Sequence, residues 1–271
     1  MKRHWYATPY ALWMTLFTIV PLLFVVYFAF TTKSGEWTVA NFGKFFKASN
    51  LPVVADSFRL AFLCTLICLL IGYPAAYFLS ARNFPLGRAL VVLFLLPMWM
   101  NFLLRTYAMM TLLEKNGVIN TVLDALGLPP QNLIGTEAAV LLGMVYNFLP
   151  FMILPIYTVL KKLDLRVIEA AEDLGAPPSK VFSRVVVPLS VPGVVSGITM
   201  VFMPAVTTFA ISRMLGSGMI YLIGDTIEDY YINFNNRNVG SALSLVLMVL
   251  IVISIGLLRM ADPKGEGGAL W

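Results

Sequence analysis

The residue types that most often catalyse reactions or bind metals are scarce in this sequence of 271 residues. The two cysteines, Cys64 and Cys68, lie four residues apart in an apolar run, and the one histidine is His4. This pattern favours neither a disulfide framework nor a metal or Ser-His site. The one Gly-Lys pair, Gly43-Lys44, is not followed by a hydroxyl residue, so the sequence has no nucleotide-binding motif. We therefore expect that the chain is not an enzyme and that it binds no cofactor by itself.

The composition of the sequence indicates that its helices lie in a bilayer. The sequence is 59% hydrophobic and 12% charged, with a mean hydropathy of +0.83. A soluble domain has about 45–50% apolar and about 25% charged residues. The sequence has no repeat and no separate polar segment, so it predicts a single transmembrane domain over residues 1–271.

Charge-free stretches locate the membrane spans, because an ionised group at mid-bilayer costs roughly 2.5–3.5 kcal/mol. Stretches near the required length of about 20 residues predict six transmembrane helices. These spans cover about 11–30, 60–81, 89–113, 138–160, 187–211 and 239–258. The third contains one charge, Arg105. The apolar segment 214–224 is too short to cross and predicts a re-entrant or interfacial piece.

The distribution of basic residues predicts the orientation. With the N-terminus in the cytoplasm, most Lys and Arg residues lie inside, including those of the most basic loop, 161–188. Both termini are then cytoplasmic. The first apolar stretch is longer than the roughly 7–15 residues of a signal-peptide core, so it reads as an uncleaved span. The net charge of +5 reflects this sidedness and predicts no nucleic-acid partner.

Proline and glycine occur repeatedly inside the spans. Seven prolines fall within or at the edges of spans, namely Pro21, Pro74, Pro97, Pro150, Pro155, Pro192 and Pro204. Each can be an ordinary membrane-helix proline, but together they suggest broken helices around a cavity. Gly193 and Gly197 form a GxxxG pair, which favours helix packing.

The cytoplasmic loop 161–188 reads as two short helices. The first runs from about 164 to 174 and ends at Gly175, and Ser179 is a natural N-cap for the second. Acidic residues crowd the C-terminal end of the first helix, where the helix dipole disfavours them. This arrangement favours docking of a cationic partner. A solvated helix in which Arg166 compensates Glu169 remains the alternative.

The same loop carries a resemblance to a known family. Glu169, Ala170 and Ala171 are followed by Gly175, and then by Val185, Val187 and Pro188. This spacing is similar to the EAA motif of bacterial ABC-importer permeases. Valine stands at both aliphatic positions where that motif has isoleucine and leucine, which is a conservative departure.

Blocks elsewhere narrow the resemblance to the spermidine/putrescine permeases. They are residues 101–107, 150–157, 222–225 and 238–242. The resemblance implies an all-α type I ABC-importer permease of the bacterial inner membrane, with a coupling helix between spans 4 and 5. It implies a cytoplasmic ATPase dimer that binds this loop and carries ATP and Mg. It also implies a second homologous permease and an extracytoplasmic polyamine-binding protein.

A polyamine path needs carboxylates and aromatic faces, since cation–π contact holds an ammonium by roughly 0.5–2 kcal/mol. Segment 221–234 offers both. Its candidates are Tyr221, Asp225, Glu228, Asp229, Tyr230 and Tyr231. Glu114 is a further candidate, whereas Arg105 favours an anion unless one of these acids pairs with it. The alternative for the segment is a loop that faces water or docks the binding protein.

Other classes of protein fit less well. The same importer type carrying an anion such as sulfate is the first alternative. A stand-alone secondary transporter would usually show an internal repeat, which the sequence lacks. An intramembrane enzyme is disfavoured because the sequence offers no complete catalytic constellation.

Overall fold

A computed structural model describes residues 8–81 and 87–260 of the chain, and these residues are almost entirely helical. In chain order the helices are α1 (Thr8–Met14), α2 (Val20–Ala29), α3 (Asn50–Ser80), α4 (Gly87–Trp99), α5 (Phe102–Leu113), α6 (Val118–Ala125), α7 (Glu137–Lys162), α8 (Leu165–Asp173), α9 (Pro178–Val181), α10 (Val187–Thr207), α11 (Ala210–Leu215), α12 (Ile223–Ile232) and α13 (Arg237–Met260). The predicted all-α class is confirmed.

Long apolar helices occur at five of the six predicted spans. The described part of the chain has five helical segments long and apolar enough to cross a membrane. They are Leu12–Ala29, Asn50–Ser80, Glu137–Lys162, Pro178–Thr207 and Arg237–Leu258. The span predicted at 60–81 begins earlier than expected, because α3 continues back to Asn50. The span predicted at 187–211 ends at Thr207, and α11 starts a new direction from Ala210.

The third predicted span, 89–113, is not one straight helix. The segments Ala89–Trp99 and Phe102–Ala125 are bent by 95° at the break between them. The side chain of Asn101 accepts a hydrogen bond from the Leu103 N–H at 2.8 Å, so it caps a new helix there. Asn101 is therefore the N-cap of α5, and the predicted number of six spans is reached if this bent pair counts as one span.

Five of the other span prolines lie inside helices that continue past them. Pro74 lies inside α3, Pro150 and Pro155 inside α7, and Pro192 and Pro204 inside α10, and each of these helices continues past them. The expectation of broken helices therefore holds at the α4–α5 bend and not at these five positions. Neighbouring helices tolerate such prolines because they satisfy or shield the freed carbonyl groups.

The core of the fold is the packing of α7 against α3 and α10. A Cβ atom added at Gly197 would stand 2.7 Å from the Met152 Sδ, and one added at Gly72 would stand 3.1 Å from the Met152 Cγ. At Gly193 an added Cβ would stand 3.0 Å from the backbone oxygen of Pro155. These approaches confirm that the GxxxG pair packs helices.

The two ends of this three-helix core are distinct. At one end, which we name the loop end, the Lys161 Nζ donates to the Ser80 backbone oxygen at 3.4 Å. At the other, which we name the acidic end, the Ile223 N–H donates to the Ser57 Oγ at 2.8 Å. Helices α3 and α7 therefore run parallel, and α10 returns between the two ends. The loop 161–188 and the carboxylates of α12 lie at opposite ends.

We expect Gly193→Ala to destabilise the fold. Its Cβ would meet backbone atoms of α7, which cannot rotate away, and overpacking of a core typically costs about 1–3 kcal/mol. The exposed Gly256 of α13 has open space around an added Cβ, so Gly256→Ala should be neutral or stabilising. Thermal unfolding of the purified chain measures both, and equal midpoints for the two variants would contradict this packing.

Candidate functional site

Helix α8 is the most exposed helix of the loop end. The Asp164 side chain accepts a hydrogen bond from the Arg166 N–H at 3.0 Å and so caps the start of the helix. No residue from Leu165 to Asp173 is buried. Glu169 and Ala170 are exposed, and Ala171 is half-buried. The residues of the EAA segment are therefore accessible to another protein.

Gly175 ends α8 because the chain there takes a conformation that favours glycine. Its φ is +78°, which is the left-handed region. The Gly175 N–H donates to the Glu172 oxygen at 2.8 Å, and the Ala176 N–H donates to the Ala171 oxygen at 3.1 Å. This pair of bonds is the Schellman motif. The helix thus stops where the sequence predicts.

The second helix of the loop starts differently from the prediction. Ser179 does not cap it, because α9 begins at Pro178 and Pro177 is its N-cap. A proline at the first helical position has no N–H that needs a partner, and its φ already suits the helix. Helix α9 then continues through a π-helical turn, Phe182–Val186, into α10, where Pro188 is exposed near the start.

The acidic residues of α8 have no counter-charge within the described residues. No ion pair is formed by Glu169, Glu172 or Asp173, and the expected compensation by Arg166 is not made. Leu174, which follows them, is 89% exposed. A helix end that carries unpaired acids beside an exposed leucine is chemically suited to docking a partner with a basic and apolar surface.

Aromatic contacts fix this loop to the helical core. The Phe182 ring lies 5.0 Å from the Tyr77 ring and 6.0 Å from the Tyr73 ring of α3. The Tyr73 and Ser190 hydroxyl oxygens are 2.8 Å apart, which ties α3 to α10. A force applied to the loop is therefore applied to α3 and α10 as well.

At the acidic end, one arginine joins the three carboxylates that the sequence placed together. The Arg213 Nη2 lies 2.8 Å from the Asp229 Oδ1, and its Nη1 lies 3.1 Å from the Glu228 Oε2. Its Nε lies 3.9 Å from the Asp225 Oδ1. The Asn233 amide also donates to the Asp229 Oδ1, at 2.6 Å. We name Arg213, Asp225, Glu228 and Asp229 the carboxylate cluster.

The segment that carries these acids is a helix, not the loop that the sequence analysis allowed. The Leu222 N–H donates to the Asp225 Oδ2 at 2.9 Å, which stabilises the first turn of α12. A Cβ at Gly224 would lie 2.5 Å from the Thr208 backbone oxygen, so only glycine fits against the end of α10. These contacts fix the cluster in place. The segment 214–224, predicted to be re-entrant or interfacial, contains the turns between α11 and α12.

Asp225 is the most buried acid of the carboxylate cluster. Its side chain is 2% exposed, and its Oδ1 has no hydrogen bond. Burial raises the pKa of the Asp225 carboxyl above its ordinary value, and the Glu228 charge acts in the same direction. The Leu222 N–H, the Ser212 hydroxyl and the Arg213 guanidinium oppose this rise.

The tyrosines of the segment are only partly available to a ligand. The Tyr231 hydroxyl lies 2.6 Å from the Ser241 Oγ of α13. The Tyr230 ring packs against the Phe234 ring at 5.3 Å. Tyr221 is exposed, and its hydroxyl donates to the Asp225 backbone oxygen at 3.4 Å. Of the three predicted tyrosines, Tyr221 is the one with a hydrogen bond to a residue of the carboxylate cluster.

The two remaining candidates stand apart from the cluster. Glu114 is exposed at the end of α5 and forms no ion pair with a described residue. Arg105 is 6% exposed, and its Nε and Nη1 are buried without a hydrogen-bond acceptor. Within residues 8–81 and 87–260 no acid forms an ion pair with Arg105. The acids of α12, which the sequence offered as its possible partners, pair with Arg213 instead.

Sequence reasoning did not assign Arg213 to the site, although a signal for it existed. Arg213 is the only charged residue between Arg184 and Asp225. A single base in so long an uncharged stretch needs a nearby acid, because an unpaired charge is costly in an apolar environment. The next acids along the chain are those of α12.

The fold of the described residues is shared with solved ABC transporters. The fold matches a crystal structure of a bacterial ABC transporter involved in the import of the acidic polysaccharide alginate. The TM-score is 0.83 at 16% identity, and the match covers 98% of this chain and 97% of that one. The methionine ABC transporter MetNI matches with a TM-score of 0.54 at 20% identity, covering 78% of this chain and 91% of that one.

Sequence comparison gives the family. Residues 68–265 match the family described as binding-protein-dependent transport system inner membrane component, and the chain belongs to it. The spermidine/putrescine transport system permease protein PotB of Haemophilus influenzae is 38% identical over 90% of this chain and 88% of the relative. PotB of Escherichia coli is 33% identical over 88% and 90%. The chain is thus a multi-pass inner-membrane permease, which excludes the stand-alone transporter and the intramembrane enzyme.

We expect Asp225→Asn to change the pH dependence of stability. Because burial raises the folded-state pKa, the folded chain binds this proton more tightly than the unfolded chain does. The contribution of Asp225 to stability therefore falls as pH rises above the ordinary aspartate pKa of about 3.9. As pH rises above that value, the thermal midpoint should fall more steeply for the wild type than for Asp225→Asn. Asp56→Asn, at an exposed ion pair with Arg59, is the matched control. Parallel curves for the wild type and Asp225→Asn would refute this expectation.

Proposed function

We propose that this chain is the transmembrane permease of an ATP-driven, binding-protein-dependent importer of polyamines such as spermidine and putrescine. The observation that carries the proposal is the 38% identity to a spermidine/putrescine permease over 90% of the chain. The carboxylate cluster supports the substrate class, because three acids with one arginine leave two negative charges when all are ionised. A polyamine carries several ammonium groups that such charges attract.

The topology proposed for residues 1–271 is a single permease domain with both termini in the cytoplasm. The loop end then faces the cytoplasm, and the acidic end faces the outside of the membrane. The excess of Lys and Arg in loop 161–188 supports this orientation. The carboxylate cluster would meet substrate as it arrives from outside.

The proposed partners follow from the two exposed ends. A cytoplasmic ATPase dimer docks on α8 through Glu169, Ala170, Ala171 and Gly175, and it supplies the bound ATP and Mg. Closing of this dimer moves the loop, and the contacts of Phe182 with α3 transmit that movement into the bundle. A second homologous permease completes the path, and an extracytoplasmic polyamine-binding protein delivers the substrate.

We expect Gly175→Arg to abolish uptake. Apart from its chain neighbours, no atom of the described residues lies within 4 Å of an added Cβ at Gly175, so the damage arises from the φ of +78° and from bulk at the ATPase contact. Labelled spermidine and putrescine uptake is measured in cells that lack the chain and carry the wild type or the variant. Uptake with Gly175→Arg should fall to the level without the chain.

Gly127→Arg is the matched control for this experiment. Gly127 ends α6 at the acidic end with a φ of +74°, the same Schellman hydrogen bonds and open space around an added Cβ. The two variants therefore impose the same backbone strain at opposite ends of the bundle. Uptake should persist with Gly127→Arg. Equal loss in both variants would argue for general misfolding, and normal uptake with Gly175→Arg would remove the coupling role of α8.

An importer of an anion such as sulfate is the second candidate, and Arg105 is the observation that favours it. Two donors of its guanidinium are buried without an acceptor in the described chain, which is costly unless an anion or a partner carboxylate reaches them. If the substrate is an anion, unlabelled sulfate should compete with uptake of the labelled substrate, and Arg105→Met should lower that uptake strongly. If the substrate is a polyamine, unlabelled putrescine should compete and sulfate should not.

A further inference from the structure

The carboxylate cluster is incompletely satisfied by its own arginine. The Asp225 Oδ1 and the Glu228 Oε2 are both buried and have no hydrogen bond, although each lies within 4 Å of the Arg213 guanidinium. A buried carboxylate oxygen without a donor is costly. No second base of the described chain lies within ion-pair distance of these acids. The cluster therefore has unused capacity for a cation.

The acids and the arginine differ in how firmly they are held. Asp225 is 2% exposed and bonded to the Leu222 N–H, whereas the Arg213 side chain is 43% exposed. Arg213 also extends from α11, a helix of six residues. A half-exposed guanidinium can leave the acids and enter water at little cost, but the acids cannot follow it. The arginine is the replaceable member of the cluster.

An apolar cavity adjoins the cluster on the side of Glu228. Its volume is about 550 Å³, and it is lined by residues of α10, α12 and α13. Glu228 and Tyr231 are among its lining residues, and Ile227, Leu247 and Met248 make it largely apolar. Such a site suits a ligand with a cationic end and a hydrocarbon chain.

We propose that Arg213 is a tethered stand-in for the substrate's ammonium group. In the empty permease it holds the acids of α12, and an entering aliphatic diamine displaces it. One ammonium of the diamine then pairs with Glu228 and Asp229, and its methylene chain lies along the apolar wall of the adjoining cavity. The second ammonium stays in water at the open side of this cavity, near the exposed Ile232. This inference rests on the proposed polyamine function and adds the residue with which the substrate competes.

The test measures ligand-induced stabilisation of the purified importer complex in lipid nanodiscs, without the binding protein. Putrescine is titrated against the thermal midpoint at constant ionic strength. Arg213→Gln removes the tethered competitor, so the half-maximal putrescine concentration should fall about tenfold, which corresponds to roughly 1.4 kcal/mol. Arg213→Lys keeps the charge but lacks the planar fork, so its half-maximal concentration should lie between the two. Ammonium chloride should act only at much higher concentrations than putrescine, because it has no carbon chain to fill the cavity.

Arg59→Gln is the matched control. Arg59 is also at the acidic end, is half exposed and pairs with two carboxylates, those of Asp56 and Glu137. Its variant should respond to putrescine as the wild type does. The triple variant Arg213→Gln, Glu228→Gln, Asp229→Asn should lose the response. If Arg213→Gln and Arg213→Lys both respond like the wild type, or if ammonium chloride is as effective as putrescine, the proposal is overturned.

Failure of this inference is distinguishable from failure of the proposed function. Labelled putrescine uptake by wild-type cells tests the function alone. Suppose that wild-type cells take up putrescine, and that the half-maximal putrescine concentration in the thermal-midpoint titration is the same for Arg213→Gln as for the wild type. This result would remove only the stand-in role of Arg213. A tenfold change in that concentration without any uptake would leave the cation site in place and remove the polyamine transport assignment.

Discussion

The packing of α7 against α3 and α10 around Met152 is the contact on which the rest of the described structure depends. Gly72 and Gly197 bring two helix backbones against this one side chain. Apolar side chains gain little by leaving lipid tails, so close van der Waals contact takes over as the source of helix association in a bilayer. Because α10 begins beside loop 161–188 and ends beside the carboxylate cluster, this packing determines where both of these regions lie.

The acidic side chains at the two ends of the bundle differ in exposure and in pairing. At the loop end the acids of α8 are exposed, form no ion pair within the described residues and can be solvated by water. At the acidic end Asp225 is almost fully buried, so its charge requires a counter-charge within the fold. Arg213 supplies that counter-charge for three acids at once. The first arrangement suits a docking surface, and the second suits a site for small cations.

Sequence reasoning succeeded where local physics decides the structure. The cost of charge in a bilayer located the long apolar helices, and the glycine at position 175 located the end of α8. It failed where a distant contact decides. Helix α12 is held by distant contacts, with Ser57 and with the end of α10. The pairing of Arg213 with α12 likewise depends on how the chain turns between α11 and α12, which periodicity does not encode. The bend at Asn101 was missed for another reason, since it rests on a local side-chain cap that charge-free stretches do not reveal.

The carboxylate cluster is joined mechanically to both core helices. The Ile223 N–H is bonded to Ser57 of α3, and Gly224 lies against the Thr208 backbone at the end of α10. Asp225 is the next residue. Helices α3 and α10 therefore cannot shift relative to each other at the acidic end without moving Asp225 or breaking one of these contacts. Tyr73 and Ser190 join the same two helices beside loop 161–188, so polar contacts hold α3 and α10 at both ends of the bundle.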